Sequence, residues 1–565
     1  MDFSKIKINF NCILFFMNKK YKNLKDANDD LYNMSGIIDF FNNEKELDNL
    51  YYSINITNKN TVKSKELEYG DYQTNKVLTD SICNLIVKKK IEPEVLIEPT
   101  CGKGNFILSA LNKINSLKNI VVIEIQEEYL WQLKFAVIDF YYENHFLNKP
   151  DIHIFNDNFF CFDFAKLYNY YSNKRVIILG NPPWVTNSEL SSINSNNLPK
   201  KSNFNNLKGI DAITGKSNFD LGEFIIYKMI DNFSENDGYI ALLLKNTVIK
   251  NILLNQKTRK NKIGNFEQYK INALKEFKVA TEASLLFCKT NVTPCFTIKE
   301  MDFYTSEVIS DYGWVENKFT SDINNYLKFK KYDGVCPFEW RQGIKHDCSK
   351  IMELEKISEG YINGLFEKFD IEEDLIFGIL KSSDLKNEKI NKTRKYTIIT
   401  QMKVGQETKS LLDKLPKTKE YLYKNIEYFE KRKSNIYKSK PLFSIFGVGD
   451  YSFKPFKVAI SGLYKQTKFS LIEPVDGKCL MLDDTCYFIG FDKYEEAVFT
   501  QYLLNRDEIQ KFLKSIIFMD SKRVITKDVL MRIDINVLLN ELLFSKFKFN
   551  FTTDKINNYL KILRA

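Results

Sequence analysis

Asn181, Pro182, Pro183 and Trp184 directly follow the apolar run Val176-Ile177-Ile178-Leu179-Gly180. The run has the length and β-branching of a buried strand, and the paired prolines stop it abruptly. In an open α/β sheet a strand that ends this way releases its next side chain and carbonyls at the carboxyl edge, where such folds hold ligands. Asn181 can offer an amide oxygen, Pro182 a carbonyl and Trp184 an aromatic face, which together suit a planar base bearing an amino group. A strand ending in a Pro-Pro turn beside a core tryptophan would read the same over these four residues. Upstream residues decide between the two.

Three earlier strand ends supply that context. Val95-Leu96-Ile97-Glu98 is an apolar run ending in an acid, followed by the turn Pro99-Thr100-Cys101-Gly102-Lys103-Gly104 and a helical pattern from Asn105 and Phe106. Glycines in such a turn let backbone approach a ligand closely, and the helix N-terminus can take a carboxylate. Ile120-Val121-Val122-Ile123-Glu124 repeats the pattern, and a carboxylate placed there can accept both hydroxyls of a ribose. The third glycine of the dinucleotide spacing is missing, and an acid stands directly before the loop, which favours an adenosyl ligand without a pyrophosphate. A third run, from His153, ends at Asp157, which can accept from an adenine amino group while Phe159 or Phe160 stacks on the ring. Taken alone, Asp157 reads equally as a turn residue.

Thr74, the stretch Glu98-Pro-Thr-Cys-Gly102-Lys-Gly104-Asn-Phe106, Glu124, Asp157 and Asn181-Pro-Pro-Trp184 resemble, in this order, the motifs of S-adenosylmethionine-dependent DNA adenine-N6 methyltransferases of restriction–modification systems, in their gamma arrangement. The resemblance implies an α/β fold with a Rossmann-like class I methyltransferase sheet and a C-terminal α+β target-recognition domain. It implies S-adenosylmethionine held by Thr74, Glu98, Gly102, Gly104, Phe106, Glu124 and Asp157. Asn181, Pro182 and Trp184 would be catalytic, and Pro183, Trp184 and Phe277 would surround the target base. Phe277, ahead of the strand Ala283–Cys288, is equally a core position. Similar motifs serve enzymes that methylate RNA or protein glutamine, which is one alternative reading; a fused restriction endonuclease–methyltransferase is another, and it would need a nuclease domain that neither the N-terminal segment nor the C-terminal half offers. Tryptophan replaces the more usual tyrosine or phenylalanine, which leaves the pose of the base open.

The elements that must position these residues divide the chain in three. Residues 1–66 read as a helical arm, 67–305 as the catalytic domain, and 306–565 as the recognition domain. Helices are expected over Val77–Lys88, with Thr74 or Asn75 as its N-cap, over Gln126–Asn144 and over Asp220–Phe233. A polar stretch of about 35 residues after Trp184 has the length of a lid, and its Lys200 and Lys201 are expected DNA contacts. Gly209–Ser217 imitates a phosphate loop, but five residues separate its glycines and no strand leads into it. Aromatic and basic residues interleave in Phe338–Asp347 and Phe446–Lys457, a mixture that suits phosphate contacts and stacking. Arg341, Lys345 and Lys454 are the expected contacts there.

The net charge of +10 over 565 residues suits a polyanion such as double-stranded DNA. Of nine arginines, seven fall in the C-terminal half, where a forked, planar donor would matter most. Ten cysteines without a CxxC, and only three histidines, give no metal-ligand spacing and point to reduced thiols in the cytoplasm. No apolar run reaches the roughly 18 residues of a membrane span. Phe10–Met17 faintly imitates a signal sequence, but it lacks a small-residue cleavage site and is followed by Lys19, Lys20 and Lys22, so it reads as a short strand or helix, or as sequence upstream of a true start at Met17. A separately encoded restriction endonuclease is the further partner that the resemblance implies.

Overall fold

Runs of β-branched residues that end in an acid become the parallel heart of one large sheet. The computed structural model describes residues 15, 16, 18–56, 73–145, 147–185, 220–521, 523–544 and 559. The expectations for Lys200, Lys201, the remainder of the polar stretch and Met17 lie outside the described residues. The chain divides into two compact units between Phe319 and Thr320.

In chain order the first unit runs α1 (Leu24–Ser35), α2 (Glu44–Ile56), α3 (Lys76–Lys88), β1 (Val95–Glu98), α4 (Asn105–Lys113), β2 (Asn119–Glu124), α5 (Glu127–Glu143), β3 (Asp151–Asn156), α6 (Phe164–Tyr171) and β4 (Val176–Gly180). It continues through α7 (Leu221–Phe233), β5 (Gly238–Lys245), α8 (Asn246–Arg259), β6 (Ile263–Ile271), α9 (Ala273–Phe277), β7 (Ala283–Thr290), β8 (Thr297–Asp302), β9 (Val308–Val315) and β10 (Lys318–Thr320). All ten strands form one sheet in the order β10-β9-β8-β6-β7-β5-β4-β1-β2-β3. β1 to β5 are mutually parallel, and β7 runs antiparallel between β5 and β6. This is a Rossmann-like sheet, the α/β arrangement expected of the first domain. Strands β8 to β10 extend it beyond residue 305, where the sequence suggested a change of pattern.

Helices cover both faces, so β1 and β4 are buried at every residue, as parallel strands usually are. The chain reaches β2 and β3 on one side of β1 and then crosses back to β4 on the other. That reversal opens a crevice outside the carboxyl ends of β1 and β4, the usual ligand position in such sheets.

The described part of the arm is helical and shares the core of the first unit. Ile37 makes a parallel bridge to Ile152 at the sheet edge. Phe40 and Phe41 pack on Trp131 of α5, with ring centroids 5.9 and 5.7 Å away, and Phe16 and Phe40 both contact Phe135. Buried Lys134 donates to the Phe40 carbonyl (2.5 Å) and stands 4.3 Å from the centre of the Trp131 ring. Burial lowers its pKa to about 8, yet the ammonium is retained by that carbonyl and the aromatic face beneath it.

The second unit is built on two sheets of mainly antiparallel strands. β11 (Arg341–Gln342), β16 (Lys389–Ile390), β18 (Phe456–Ser461), β19 (Ser470–Ile472) and β21 (Cys486–Phe491) form one, in the order β11-β21-β18-β19-β16. β12 (Glu353–Lys356), β13 (Tyr361–Asn363), β14 (Lys368–Phe369), β15 (Ile376–Leu380), β17 (Lys395–Ile398) and β20 (Met481–Leu482) form the other, in the order β14-β13-β12-β17-β15-β20. With its short helices this is an α+β arrangement. Among the described residues no helix is long and apolar enough to cross a membrane.

Candidate active site

Because β1, β2, β3 and β4 are parallel neighbours, the residues at their carboxyl ends reach one edge together. Glu98, Glu124, Asp157 and Asn181 all line a hollow of about 910 Å³, its open mouth included. Thr74, Gly102, Phe106 and Pro183 line it as well, as do Gln73, Tyr129 and Phe160.

Glu98 is 1 % exposed, and its Oε2 has no hydrogen-bond partner among the described residues. Burial, and secondarily the negative charge of Glu124, pushes its carboxyl well above the usual carboxylate range. A buried carboxyl with an unsatisfied oxygen at the wall of a hollow is a group that a donor or a positive charge would complete. Glu124 is differently placed. Its two oxygens receive the backbone N–H of Gly102 (2.8 Å) and of Gln126 (2.9 Å), which ties the glycine loop to the end of β2. Asp157 is exposed, and its Oδ1 accepts from the Asn158 amide at 2.6 Å.

The two glycines of the loop do different things. Gly102 has φ +53°, and a Cβ there would press on the side chain of Gln73 at the hollow. Gly104, expected to let backbone approach a ligand, does not line the hollow: at φ +81°, a Cβ would stand 2.2 Å from Leu133 Cδ1. It is needed because α5 crosses tightly behind the loop, a helix contact that spacing along the chain cannot reveal.

Asn181 donates its amide nitrogen to Thr74 Oγ1 at 3.2 Å, and the Thr74 carbonyl receives Asn105 Nδ2 at 2.6 Å. The start of α3, the glycine loop and the Asn-Pro-Pro turn are thereby cross-linked, and the Asn181 oxygen Oδ1 is turned away from Thr74. Asn75, not Thr74, caps α3, its Oδ1 receiving the Leu78 amide (2.9 Å), which leaves the Thr74 hydroxyl for Asn181. Pro182 is buried. Trp184 is 5 % exposed, its indole N–H donates to the Leu243 carbonyl (3.3 Å), and its ring meets Phe277 edge-on at 4.9 Å. Both rings are packed in the core of the first unit, and neither lines the hollow.

Sequence reasoning missed the support beneath the wall formed by Phe159 and Phe160. Lys228 of α7 donates to the carbonyls of Phe159 (2.9 Å), Phe160 (3.1 Å) and Phe162 (3.1 Å), and lies 5.1 Å from the centre of the Phe159 ring. Phe224, one helical turn earlier, packs edge-on against Phe160 at 5.4 Å. Leu221 and Ile225 of the same helix line the hollow, and the Leu221 amide binds the Val185 carbonyl just past Trp184 (2.9 Å). A lone lysine in an apolar helical pattern was the available signal.

In the second unit the three expected DNA contacts are all engaged by acids. Arg341 pairs with Glu339 and stacks over Tyr451, its guanidinium 4.7 Å from the ring centre. Lys345 lies 3.3 Å from Asp347 and 3.9 Å from Asp484, and Lys454 pairs with Asp492 at 2.5 Å. Among the described residues no cluster of three or more His, Cys, Asp or Glu is gathered that could hold a metal ion.

No protein-family model matches the chain. It is 39% identical over 484 residues to the type II methyltransferase M.NspV of Nostoc sp. (strain ATCC 29411 / PCC 7524), an alignment that covers 85% of this chain and 99% of that protein. Among solved structures it resembles the type IIL restriction–modification enzyme MmeI in complex with DNA, at a TM-score of 0.53 and 12% identity, over 91% of this chain and 77% of that one. That second likeness is one of fold.

Proposed function

The chain belongs to the type II methyltransferase family, and from that premise we propose that it methylates the N6 amino group of an adenine turned out of duplex DNA, as the modification enzyme of a restriction–modification system. S-adenosylmethionine is the cofactor, and it supplies an activated methyl on a positively charged sulfur. The observation that carries the reading is the meeting of Glu98, Glu124 and Asn181 at one hollow. The residues fit the cofactor: a buried acid with an oxygen that no described residue satisfies suits its positive charge, Glu124 its ribose, and the Asp157–Phe160 segment its adenine.

The amine of adenine is a poor nucleophile because its lone pair is delocalised into the ring. Asn181 Oδ1 and the Pro182 carbonyl accept its two hydrogens, localise the lone pair and aim it toward the cofactor side of the hollow. The hydrogen bond from Asn181 Nδ2 to Thr74 holds the amide in the required orientation. Pro183 bounds the base, whereas Trp184 and Phe277, packed on one another in the core, do not line the hollow that would receive it. An adenine within a duplex cannot reach such a site, so the base is extruded before reaction. A separately encoded nuclease that cuts the same sequence is the expected partner.

Asn181→Ala is expected to leave cofactor affinity within about threefold while lowering methyl transfer to duplex DNA by roughly 10²–10³ or more, the cost of losing one preorganised polar group at a reacting centre. Retained turnover would overturn the assignment. Transfer of labelled methyl to duplex DNA rather than ribosomal RNA, with N6-methyladenine identified after digestion, tests substrate and atom together.

A further inference from the structure

Among the described residues of the second unit, one aromatic side chain stands almost wholly in water. Phe366 is 85 % exposed, at the tip of the hairpin between β13 and β14, and its φ is +64°. A bulky residue in the left-handed region is strained, and such a conformation persists only where its surroundings impose it.

They do so here. Asn363 Oδ1 accepts from the amides of Leu365 (2.9 Å) and Glu367 (3.1 Å), and its Nδ2 donates to Glu367 Oε2 (3.0 Å) and to the Tyr421 hydroxyl (3.0 Å). The Gly364 amide binds the Lys350 carbonyl (2.8 Å), and the Phe366 amide the Asn363 carbonyl (3.0 Å). Beneath the tip, Phe369 stacks flat on Tyr421 at 3.9 Å and 16°. The hairpin is therefore a rigid mount for one uncovered ring.

The surroundings of the ring indicate what it meets. Lys350, bonded to the loop through its carbonyl, and Lys368, two residues past the tip, are both exposed. Tyr421 sits in the stretch 403–440, which carries eleven basic residues against five acidic ones, with Lys417, Lys419, Lys424 and Lys431 paired to Asp370, Asp413, Glu367 and Glu427. A protein interface of ordinary size would need an apolar surround, and a single ring flanked by two exposed lysines is instead the arrangement of a wedge that enters a base step while cations hold phosphates.

Building on the reading of the chain as a DNA methyltransferase, we propose that Phe366 inserts into the base stack of bound duplex DNA, with Lys350 and Lys368 on neighbouring phosphates. The test uses the full chain with a duplex bearing its methylation site, and compares wild type, Phe366→Ala and Phe366→Trp. Phe366→Ala should keep cofactor affinity and thermal midpoint, and weaken duplex binding at least tenfold. Phe366→Trp should bind as wild type does and show quenched emission with duplex DNA but not with heparin, a polyanion without bases. Unchanged affinity in Phe366→Ala together with unquenched tryptophan would overturn the proposal. So would a loss of self-association, seen by sedimentation, without a loss of DNA affinity, which would make the tip a contact between copies of this chain. Should wild type itself neither bind nor methylate duplex DNA, the functional reading falls and takes the wedge with it; wild type that methylates while Phe366→Ala binds normally removes the wedge alone.

Discussion

The edge of the first unit's sheet and the aromatic–basic tracts of the second were both singled out by residue type, and they turn out to be opposite kinds of surface. At the sheet edge an acid is buried beside a hollow with an oxygen that no described residue satisfies. In the tracts around Arg341, Lys345 and Lys454, every expected cation is already engaged by an acid. A site poised for a ligand shows unmet demand, whereas a folded surface generally balances its own charges.

The contrast can be broken or sharpened by substitutions at four residues. The largest effect is expected at Glu98. Glu98→Gln should weaken cofactor binding by roughly 10–100-fold, the scale of about 1.5–3 kcal/mol for a hydrogen bond to a charged group. Glu98 also sets a pH dependence. Its raised pKa means the empty protein holds a proton that a positively charged ligand expels, so cofactor affinity should climb with pH through the window between the ordinary carboxylate range and the raised value. The same shift makes the unliganded fold lose stability as pH rises through that window, since the native state binds the extra proton. Calorimetry in two buffers of different ionisation heat should detect proton release in wild type and none in Glu98→Gln; identical release in both would remove Glu98 from the account.

A smaller effect is expected at Lys228, which acts through the loop it holds. Lys228→Met should raise KM for the cofactor about tenfold and leave kcat within about twofold, with Lys228→Arg recovering part of the loss. An equal fall in kcat would show that the loop serves the methyl acceptor instead. The smallest effects belong to the paired cations. Arg341→Ala and Lys454→Ala should each change duplex affinity by less than about threefold and leave its salt dependence nearly unaltered, because exposed ion pairs of this kind contribute little beyond local neutralisation. A tenfold loss from either would restore these tracts as the main DNA contacts and dissolve the contrast.

The first unit was legible because its geometry follows from periodicity. A β-branched run ending in Glu98, Glu124 or Gly180 must deliver the next polar residue to the sheet's carboxyl edge, and parallel pairing brings those edges together. What could not be read depends on contacts across the fold. The need for Gly104 comes from Leu133, 29 residues away, and the support of the Phe159–Phe162 loop comes from Lys228, on a helix beyond the polar stretch. Orientation was equally hidden: an aromatic after two prolines reads the same whether its ring faces a ligand or, like Trp184, packs on Phe277. In the second unit, composition carried no register at all, so Arg341 and Lys454 could be named but their acids could not.

The seam between the arm and α5 limits how this protein can be re-engineered. A fragment cut to begin near residue 73 would leave Trp131 and Phe135 wet and strip the Lys134 ammonium of its carbonyl, at roughly 1.5–3 kcal/mol for each large side chain uncovered. Such an excised catalytic half is expected to go to the insoluble fraction, so any chimaera that exchanges the second unit to alter sequence preference has to carry the arm along with the sheet.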